Sequence, residues 1–387
     1  MTARPHEYYM ARALELARRG LYTTDPNPRV GCVIVKQGQI VGEGYHVRAG
    51  EPHAEIHALH AAGGEARGAT AYVTLEPCAH QGRTGPCARA LAEAGVAQVI
   101  AAMQDPNPLV AGRGFAILAA AGVAVDYGLL EGEAQRLNPG FIARMARGRP
   151  FVRLKLAMSL DGRTAMASGE SQWITGPRAR RAVQRLRARS SAVMTGIDSI
   201  LCDDSRLTVR AEQLDLDESE AISGRQPLRV VVDSRLRMPL AARCLREPGR
   251  TLIATAVAGD DERKRQLIEA GAEIIALPGA TAGRVDLAAL LAHLAAEEAC
   301  NEVLLETGAT LAGAMLEAGL IDEMHLFMAP TLLGGQARPL FALPGLERMA
   351  QQRPLVIDDI RAVGDDWRII ARPRQMPEDS IDAHALR

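Results

Sequence analysis

The stretch PHAEIHALHAAGG, residues 52–64, joins a helix to a candidate metal ligand. Pro52 is typical of a helix start, and Gly63-Gly64 predicts the end of this helix. His53 lies in the first turn, and Glu55 follows two residues later. Glu55 would therefore lie beside any metal ion that His53 holds, so the beginning of this helix is a candidate site of chemistry.

The segments around this helix alternate between strand and helix patterns at the spacing of an α/β domain. The predicted segments are the helix Tyr8–Arg19, the hairpin strands Val30–Val35 and Ile40–Val41, the helix from Pro52, the strand Ala71–Leu75, the helix from Pro86, the strand Val96–Met103, the helix Gly114–Ala121 and the strand Val123–Tyr127. Gln37-Gly38 is typical of a tight hairpin turn. The resulting order is α-β-β-α-β-α-β-α-β.

A second α/β domain is predicted after the basic stretch Ala143–Pro150, which ends in Gly and Pro and predicts a boundary between residues 1–147 and 148–387. The predicted strands beyond it are Phe151–Met158, Ala192–Thr195, Arg229–Asp233, Thr251–Thr255, Glu273–Leu277, Glu302–Glu306 and Met324–Met328. Helical patterns separate most of them. The acidic segment Glu212–Ser223 is expected to be a surface loop.

The composition excludes several classes of protein. The 387 residues carry 45 Lys and Arg against 46 Asp and Glu, and this balance excludes a coating role on a polyanion. Aromatic residues make up only 3%, which argues against base stacking on nucleic acid. Six cysteines are too few for a disulfide scaffold. With no membrane-length apolar run and no signal-peptide pattern, we expect a soluble, cytoplasmic protein.

Three residues have the chemistry of zinc ligands: His53, Cys78 and Cys87. Each directly follows a proline, and His53 and Cys87 lie at predicted helix starts, where thiolate is favoured. A catalytic zinc takes three protein ligands and leaves a fourth position for water, and one imidazole with two thiolates would supply those three. Glu55 would then act as general acid and base. If Glu55 were itself a fourth ligand, the site would be structural instead.

The second half carries weaker signals. Residues 302–314, EVLLETGATLAGA, predict a strand, a glycine turn and a helix start, an arrangement that can bind phosphate but often does not. Alternation in residues 151–162 places Arg153 and Lys155 on one strand face, and Lys155 is expected to be a solvated lysine on an open face of the sheet. The helix Arg178–Arg189 is rich in arginine and predicts a solvated or subunit-contact face. Arg187 and Arg210 are the arginines best suited to a substrate phosphate.

The metal-ligand pattern resembles the zinc signature of the cytidine-deaminase-like fold, H-x-E followed by P-C-x-x-C. Eight residues separate Cys78 from Cys87 here, and this longer insert resembles the deaminase domain of the bifunctional riboflavin-biosynthesis family. PNPRVG at 26–31, GEPHAE at 50–55 and QDPNP at 104–108 also resemble that family. The resemblance implies hydrolytic deamination of an aminopyrimidine, with Asn27 on the pyrimidine or its sugar and His80 on the substrate phosphate.

The second half resembles the reductase domain of the same family, which has a dihydrofolate-reductase-like fold and uses NADPH. The matching stretches are LKLAMSLDGRTA at 154–165, SGESQWIT at 168–175, DDSRLTVR at 203–210 and ETGATLAG at 306–313. The resemblance implies that Lys155 and Asp203 flank the reacting ribose carbon. It implies substrate contacts by Ser171, Arg187, Leu207, Arg210 and Glu306. It implies cofactor contacts by Ala157, Trp173, Ser199, Asp203, Ser234, Gly308, Ala309, Thr310, Leu311, Ala312, Gly313 and Ala314.

We therefore expect a bifunctional enzyme that deaminates a diaminopyrimidinone ribosylamino phosphate with zinc and then reduces the ribose of the product with NADPH. We also expect a homo-oligomer, a dimer or tetramer, with no nucleic-acid or membrane partner. Two alternatives stay open from the residues alone. One is a nucleobase or nucleoside zinc deaminase with an accessory α/β domain, and the other is a binding protein with a structural zinc.

Overall fold

A computed structural model describes residues 5–79, 85–108 and 110–374 of the chain. The polypeptide divides into two compact units. The N-terminal unit comprises Met1–Phe151 together with Arg189–Ser191 and Leu291–Glu302. The C-terminal unit comprises Val152–Ala188, Ala192–Leu290 and Val303–Arg387. Among the described residues, no helix is long and apolar enough to cross a lipid bilayer.

The N-terminal unit follows the predicted alternation of helices and strands as far as Tyr127. Its helices are α1 (His6–Arg18), α2 (Ala54–Ala62), α3 (Cys87–Glu93), α4 (Arg113–Ala120), α5 (Glu131–Leu137) and α6 (Pro139–Arg147). Its strands are β1 (Gly31–Lys36), β2 (Gln39–Tyr45), β3 (Thr70–Val73), β4 (Gln98–Ala101) and β5 (Ala124–Tyr127). The sequence analysis did not predict α5 and α6, and the start of the predicted boundary stretch is helical through Arg147.

The strands of this unit form one sheet in the order β2-β1-β3-β4-β5. β1 is antiparallel to β2 and β3, whereas β3, β4 and β5 run parallel. Gln37 and Gly38 have positive φ angles and close the β1–β2 hairpin as predicted. Because β3 and β4 are parallel, the segments that follow them leave the same edge of the sheet, and Cys78 lies on the segment after β3.

Helix α2 packs unusually close to the sheet because β2 carries glycines at the contact. A Cβ atom at Gly44 would lie 2.3 Å from the carbonyl oxygen of Ala54 and 2.6 Å from the amide nitrogen of Ala58. Both atoms belong to the backbone of α2, which cannot yield as a flexible side chain would. The first turn of α2, with Glu55, is therefore held at a fixed height above β2.

The remaining elements span residues 151–373. The strands are β6 (Phe151–Ser159), β7 (Arg163–Ala165), β8 (Ala192–Gly196), β9 (Leu228–Val232), β10 (Thr251–Thr255), β11 (Glu273–Ala276), β12 (Glu302–Glu306), β13 (Glu323–Ala329), β14 (Arg338–Pro339), β15 (Leu355–Val363) and β16 (Asp366–Pro373). The helices are α7 (Pro177–Arg189), α8 (Ile197–Asp203), α9 (Ser219–Ser223), α10 (Arg243–Arg246), α11 (Glu262–Glu269), α12 (Leu287–Ala296) and α13 (Ala309–Glu317).

Nine of these strands form one mixed sheet in the order β11-β10-β9-β8-β12-β6-β13-β16-β15. The run from β11 to β12 is parallel, as is the β6–β13 pair, so the loops after these strands can build a site at one edge. The seven predicted strands are all present. The sequence analysis missed the C-terminal hairpin β15–β16, whose register is interrupted between Ile357 and Asp359 and whose alternation is correspondingly weak.

One local expectation needs correction. The acidic segment Glu212–Ser223 was expected to be a surface loop, but it contains α9 and buries Leu214 and Ile222. On β6, Arg153 is 2% exposed and pairs with Glu323, a contact across 170 residues that the local pattern does not show.

Candidate metal centre and reductase site

The three predicted zinc ligands lie together in the N-terminal unit. The Nδ1 atom of His53 is 3.6 Å from the Cys78 sulfur and 3.3 Å from the Cys87 sulfur. One donor atom from each residue lies within 4.8 Å of the others. His53 caps α2, and Cys87 is the first residue of α3. An imidazole and two thiols converging from two helix N-termini and a strand end fit zinc.

The electrostatics of the cysteine pair suit a cation. The Cys87 backbone N–H donates a hydrogen bond to the Cys78 sulfur at 3.3 Å. Hydrogen bonding from the Cys87 side chain, together with His53, lowers the pKa of Cys78, and the same hydrogen bond raises the pKa of Cys87. The pair therefore favours a thiolate on Cys78, the protonation state that binds metal.

Glu55 is buried beside the three donors. Its side chain is on the first turn of α2 and the residue is only 3% exposed. Burial, reinforced by the charge of Cys78, raises the pKa of Glu55 to about 7. A carboxyl group with a pKa near neutrality can both accept and return a proton, as general acid/base catalysis requires.

Asn27 is linked to the metal centre by His46, which contacts both Asn27 and His53 and which the sequence analysis did not identify. The Asn27 amide nitrogen is 3.0 Å from Nε2 of His46, and Nδ1 of His46 is 3.1 Å from the Pro52 carbonyl. Since a carbonyl only accepts, Nδ1 carries the proton and Nε2 accepts from Asn27. The ring of His46 lies edge-on to that of His53 at 5.3 Å. Asn27 is thereby oriented, with its amide oxygen left for a ligand.

Two other histidines belong to the metal region. His57, on α2, is partly buried, and its Nε2 atom has no hydrogen-bond partner in the described part of the chain. His80, expected to contact the substrate phosphate, lies outside the described residues.

Glu76 anchors the segment that carries Cys78, and the sequence analysis gave it no separate role. It is 3% exposed, and its carboxylate accepts four backbone N–H groups from the segment 105–115. Gly114 packs tightly against the segment that carries Cys78: a Cβ atom at Gly114 would lie 2.0 Å from the Pro77 carbonyl oxygen. The sequence signal that could have revealed this role is an acidic residue at the end of a buried strand.

In the C-terminal unit, α7 and β12 bring a charge cluster together. Arg187 binds both carboxylate oxygens of Glu306, at 2.6 and 3.0 Å, and donates to the Thr208 carbonyl at 2.9 Å. Lys155 on β6 is partly covered rather than freely solvated. Burial lowers the pKa of Lys155, although the charge of Glu306 opposes that shift. A lysine with a lowered pKa exchanges its proton more readily than a solvated one.

Arg210 and Leu207 border this cluster. Burial and the charge of Arg187 lower the pKa of Arg210, and its Nε atom is buried without a hydrogen-bond partner among the described residues. Leu207 is buried and has a φ angle of 57°, in the loop that also presents Thr208 to Arg187. An unpaired guanidinium nitrogen next to a second arginine is suited to an anion.

Asp203 and Ser171 also meet. The Ser171 hydroxyl donates to the Asp203 carboxylate at 3.2 Å. Asp203 is the last residue of α8 and is exposed, so a ligand can reach its carboxylate.

The predicted cofactor residues lie at the ends of neighbouring strands. Ser234 follows β9, Ser199 is on α8 after β8, and Ala157 is on β6. Trp173 is 70% exposed, and the Arg180 guanidinium lies over its ring at 4.8 Å. The predicted segment Gly308–Ala314 is only partly accessible, because a Cβ atom at the buried Gly313 would lie 2.0 Å from the Ala342 carbonyl oxygen.

The beginning of α13 offers open space and a free hydroxyl to a phosphate-containing group. A Cβ atom at Gly308, which caps α13, would meet no other atom within 4 Å. The hydroxyl of Thr195, near the end of β8, the strand next to β12, is buried without a hydrogen-bond partner in the described residues. Open space before a helix N-terminus, with an unsatisfied hydroxyl on the neighbouring strand, fits a phosphate-containing cofactor.

Comparison with known proteins agrees with both halves of this arrangement. Residues 3–103 match the family model described as the cytidine and deoxycytidylate deaminase zinc-binding region, and residues 150–368 match the RibD C-terminal domain. The riboflavin biosynthesis protein RibD of Escherichia coli is 54% identical over 93% of this chain and 97% of that protein. The chain belongs to the RibD family. The Haemophilus influenzae RibD protein is 46% identical over 95% of this chain and 97% of its own length.

Solved structures show the same two-part fold. Acinetobacter baumannii RibD is 48% identical with a TM-score of 0.88, and 95% of this chain and 99% of that chain are covered. A Thermotoga maritima protein described as a diaminohydroxyphosphoribosylaminopyrimidine deaminase/5-amino-6-(5-phosphoribosylamino)uracil reductase is 32% identical with a TM-score of 0.80, covering 95% and 98%.

RibD membership decides between the alternatives. A zinc-binding deaminase region and a RibD reductase domain are both present, so the chain is a bifunctional deaminase and reductase of riboflavin biosynthesis that acts on small molecules. The fold expectation, a cytidine-deaminase-like domain followed by a reductase domain, is confirmed. A nucleobase deaminase with an unrelated accessory domain does not account for the match at residues 150–368.

Proposed function

We propose that residues 1–147 deaminate 2,5-diamino-6-ribosylamino-4(3H)-pyrimidinone 5′-phosphate and that residues 148–387 then reduce the ribose of the product with NADPH. The observation that carries the proposal is the pairing of two chemically different centres on one chain. The N-terminal unit places a neutral-range acid, Glu55, beside three zinc donors. The C-terminal unit places Lys155 beside the partly buried ion pair of Arg187 and Glu306, whose charges act on its amino group.

In the deaminase, His53, Cys78 and Cys87 would hold zinc, which when bound supplies Lewis-acid activation of a water molecule. Glu55 accepts the proton that this water loses and delivers it to the exocyclic nitrogen, so that water and amine become carbonyl and ammonia. Asn27, oriented by His46, binds the pyrimidine or its sugar through its amide oxygen. His80 contacts the substrate phosphate.

In the reductase, NADPH would be held beside the substrate and when bound supplies a hydride for the first carbon of the open-chain imine form of the ribosylamine, whose nitrogen takes up a proton. Lys155 helps to protonate or polarise the reacting sugar, and Asp203, which already accepts from Ser171, positions it. Glu306, Ser171 and Leu207 complete the substrate site. Arg210 binds the 5′-phosphate with Arg187 beside it, because Arg210 has an unpaired Nε atom whereas Arg187 already binds Glu306.

The cofactor would contact the exposed indole of Trp173 and the segment Gly308–Ala314 at the start of α13, with Ala157, Ser199, Asp203 and Ser234 completing its site. The protein would work in the cytoplasm as a homo-oligomer, with no nucleic-acid partner. Near-balanced charge and the scarcity of aromatic residues support the last point.

The test uses two single variants of the full chain, Glu55→Gln and Lys155→Met, and follows ammonia release and NADPH oxidation separately. Glu55→Gln should retain zinc but lose deamination by about 10²–10⁴-fold, because removal of a positioned acid/base has that effect. It should still oxidise NADPH when given the deaminated compound. Lys155→Met should release ammonia normally and fail in the reduction.

The two variants are each other's control, since each should lose one activity and keep the other. Normal ammonia release by Glu55→Gln would overturn the role of Glu55. Unchanged NADPH oxidation by Lys155→Met would remove Lys155 from the reductase mechanism.

A further inference from the structure

Asn27 lies in a loop, residues 24–30, that other parts of the N-terminal unit hold in place. Pro26 and Pro28 flank Asn27, and neither has an N–H group to donate. The Asn27 N–H donates to the Thr24 carbonyl at 2.8 Å, which closes a turn within the loop. The loop leads directly into β1. Because two backbone donors are missing, the position of Asn27 depends strongly on side chains that reach the loop from elsewhere.

Asn138 holds the loop on the C-terminal side of Asn27. Its Oδ1 atom accepts the Arg29 N–H at 2.8 Å, and its Nδ2 atom donates to the Arg29 carbonyl at 2.9 Å. One carboxamide thus satisfies both backbone polar groups of Arg29, as a residue on a neighbouring strand would. Asn138 lies between α5 and α6 and is 2% exposed. A buried side chain therefore fixes the backbone two residues after Asn27.

Asn301 holds the loop on the other side. Its Nδ2 atom donates to the Pro26 carbonyl at 2.8 Å and to the Asp25 carboxylate at 3.1 Å. Asn301 is buried, and its own backbone N–H donates to the Ser191 hydroxyl at 2.8 Å, so the donor stands on a fixed support. The carbonyl that it binds belongs to the residue directly before Asn27.

The two asparagines belong to one packed region of the N-terminal unit. The Arg29 guanidinium pairs with the buried carboxylate of Glu302, the residue after Asn301, at 2.7 Å. A Cβ atom at Gly140, on α6, would lie 2.6 Å from the Asn301 carbonyl oxygen. The helix that follows Asn138 is therefore packed directly against the backbone of Asn301. A change at either asparagine would release one side of the loop while the other side stays anchored.

We propose that Asn138 and Asn301 are positioning residues of the deaminase, which set the place of Asn27 over the substrate. This inference rests on the function proposed above for Asn27, the binding of the pyrimidine or its sugar. His46 orients the Asn27 side chain, and the two asparagines fix the backbone from which it extends. A shift of about 1 Å in the loop would stretch a hydrogen bond of about 2.9 Å beyond the distance at which it contributes.

The experiment measures kcat and KM for ammonia release by the full-length protein, with zinc content and melting temperature recorded for each variant. The single variants are Asn301→Ala, Asn138→Asp and Asn27→Ala, and the double variants combine each of the first two with Asn27→Ala. Asn138→Asp is the milder of the two loop changes, because aspartate still accepts the Arg29 N–H and loses only the donor to the Arg29 carbonyl.

Gln135→Ala is the matched control. Gln135 also carries a carboxamide, on α5 and three residues before Asn138, but it is exposed and its side chain donates to Glu131 on the same helix. Its removal should change neither KM nor kcat, because it does not touch the loop.

Asn301→Ala and Asn138→Asp should each raise KM roughly 5- to 30-fold, through weakening of one substrate hydrogen bond. Zinc content should be unchanged and kcat should stay within about threefold, because the contact that is weakened is made in the ground state as well as in the transition state. In the presence of Asn27→Ala, neither change should raise KM further by more than about twofold, since residues that act through one contact are not additive. NADPH oxidation on the deaminated compound should be the same in all variants.

Two results would overturn the inference while the proposed function stands. One is an unchanged KM in both Asn301→Ala and Asn138→Asp. The other is the same increase in KM with and without Asn27→Ala, which would show a structural effect that does not pass through Asn27. If Asn27→Ala itself leaves KM unchanged, the proposed role of Asn27 fails and this inference fails with it.

Discussion

Replacing Glu76 by glutamine should destabilise the deaminase fold without touching a metal ligand. The carboxylate of Glu76 accepts the N–H groups of Gly114 and Phe115 on one oxygen, at 2.8 and 3.4 Å. Its other oxygen accepts those of Asp105 and Gly112, at 3.1 and 3.0 Å. Glutamine has one carbonyl oxygen and one NH₂ group, so two of these N–H groups would face a donor.

The size of the effect follows from the number of bonds lost. A hydrogen bond to a charged group contributes about 1.5–3 kcal/mol, and a buried donor without an acceptor carries a similar cost. The loss of two such bonds would lower the free energy of unfolding by at most about 3–6 kcal/mol. Because the segment can relax, we expect a decrease of about 3 kcal/mol. For a unit of this size, that corresponds to a decrease in Tm of about 6–12 °C.

Calorimetric melting of the full chain measures the loss, and hydrogen exchange localises it. Peptides from residues 104–116 should exchange faster in Glu76→Gln, whereas peptides from the C-terminal unit should not change. Glu93→Gln is the matched control, because Glu93 is an exposed glutamate of the same unit without a partner in the described residues. A Tm equal to that of the control, with unchanged exchange over 104–116, would refute the reasoning.

Two further predictions concern packing and pH. Gly44→Ala should lower the free energy of unfolding by about 1–3 kcal/mol and reduce ammonia release but not NADPH oxidation, because the added Cβ would force α2 and Glu55 outward. Gly64→Ala is the control, because a Cβ atom there meets nothing within 4 Å. Equal melting temperatures and equal activities of the two variants would contradict this account. Burial alone would raise the pKa of Glu323, but His325 and Arg153 outweigh it and lower that pKa to about 2. The ionised carboxylate therefore stabilises the fold fully above its unfolded pKa of about 4.3, and this contribution is lost as the pH falls toward 2. Urea unfolding of wild type and Glu323→Gln should differ by a constant amount above about pH 5 and converge below it, and a difference that grows on acidification would disprove the assignment.

The metal centre was predictable from sequence because its chemistry is local. His53, Cys78 and Cys87 each follow a proline, and His53 and Cys87 lie at helix starts, where the backbone already favours a ligand. Glu55 is two residues from His53, so its place beside the metal depended only on a single helical turn. The positions of the strands along the chain up to Tyr127 were likewise predictable, because buried strands appear as short apolar runs between turn residues.

Other features of the N-terminal unit depend on contacts that the tertiary structure alone creates. Glu76 acquires its role from N–H groups 29 to 39 residues away, and His46 acquires its role by lying between Asn27 and Pro52. The position of Glu76 at the end of a buried strand hints at a role but does not show which N–H groups it binds, and His46 has no local pattern that distinguishes it from an ordinary polar residue.

The charge cluster of the reductase shows the same limit more strongly. Arg187 and Glu306 are 119 residues apart, and only the adjacency of α7 to the end of β12 makes them a partly buried pair. Lys155 looked like a solvated lysine because strand alternation shows which face a residue is on but not what covers that face. Sequence by itself determined the ligands, the helix starts and most strands, which depend on neighbouring residues. The tertiary structure decided which distant charges meet and which side chains lose water, because burial depends on the whole chain.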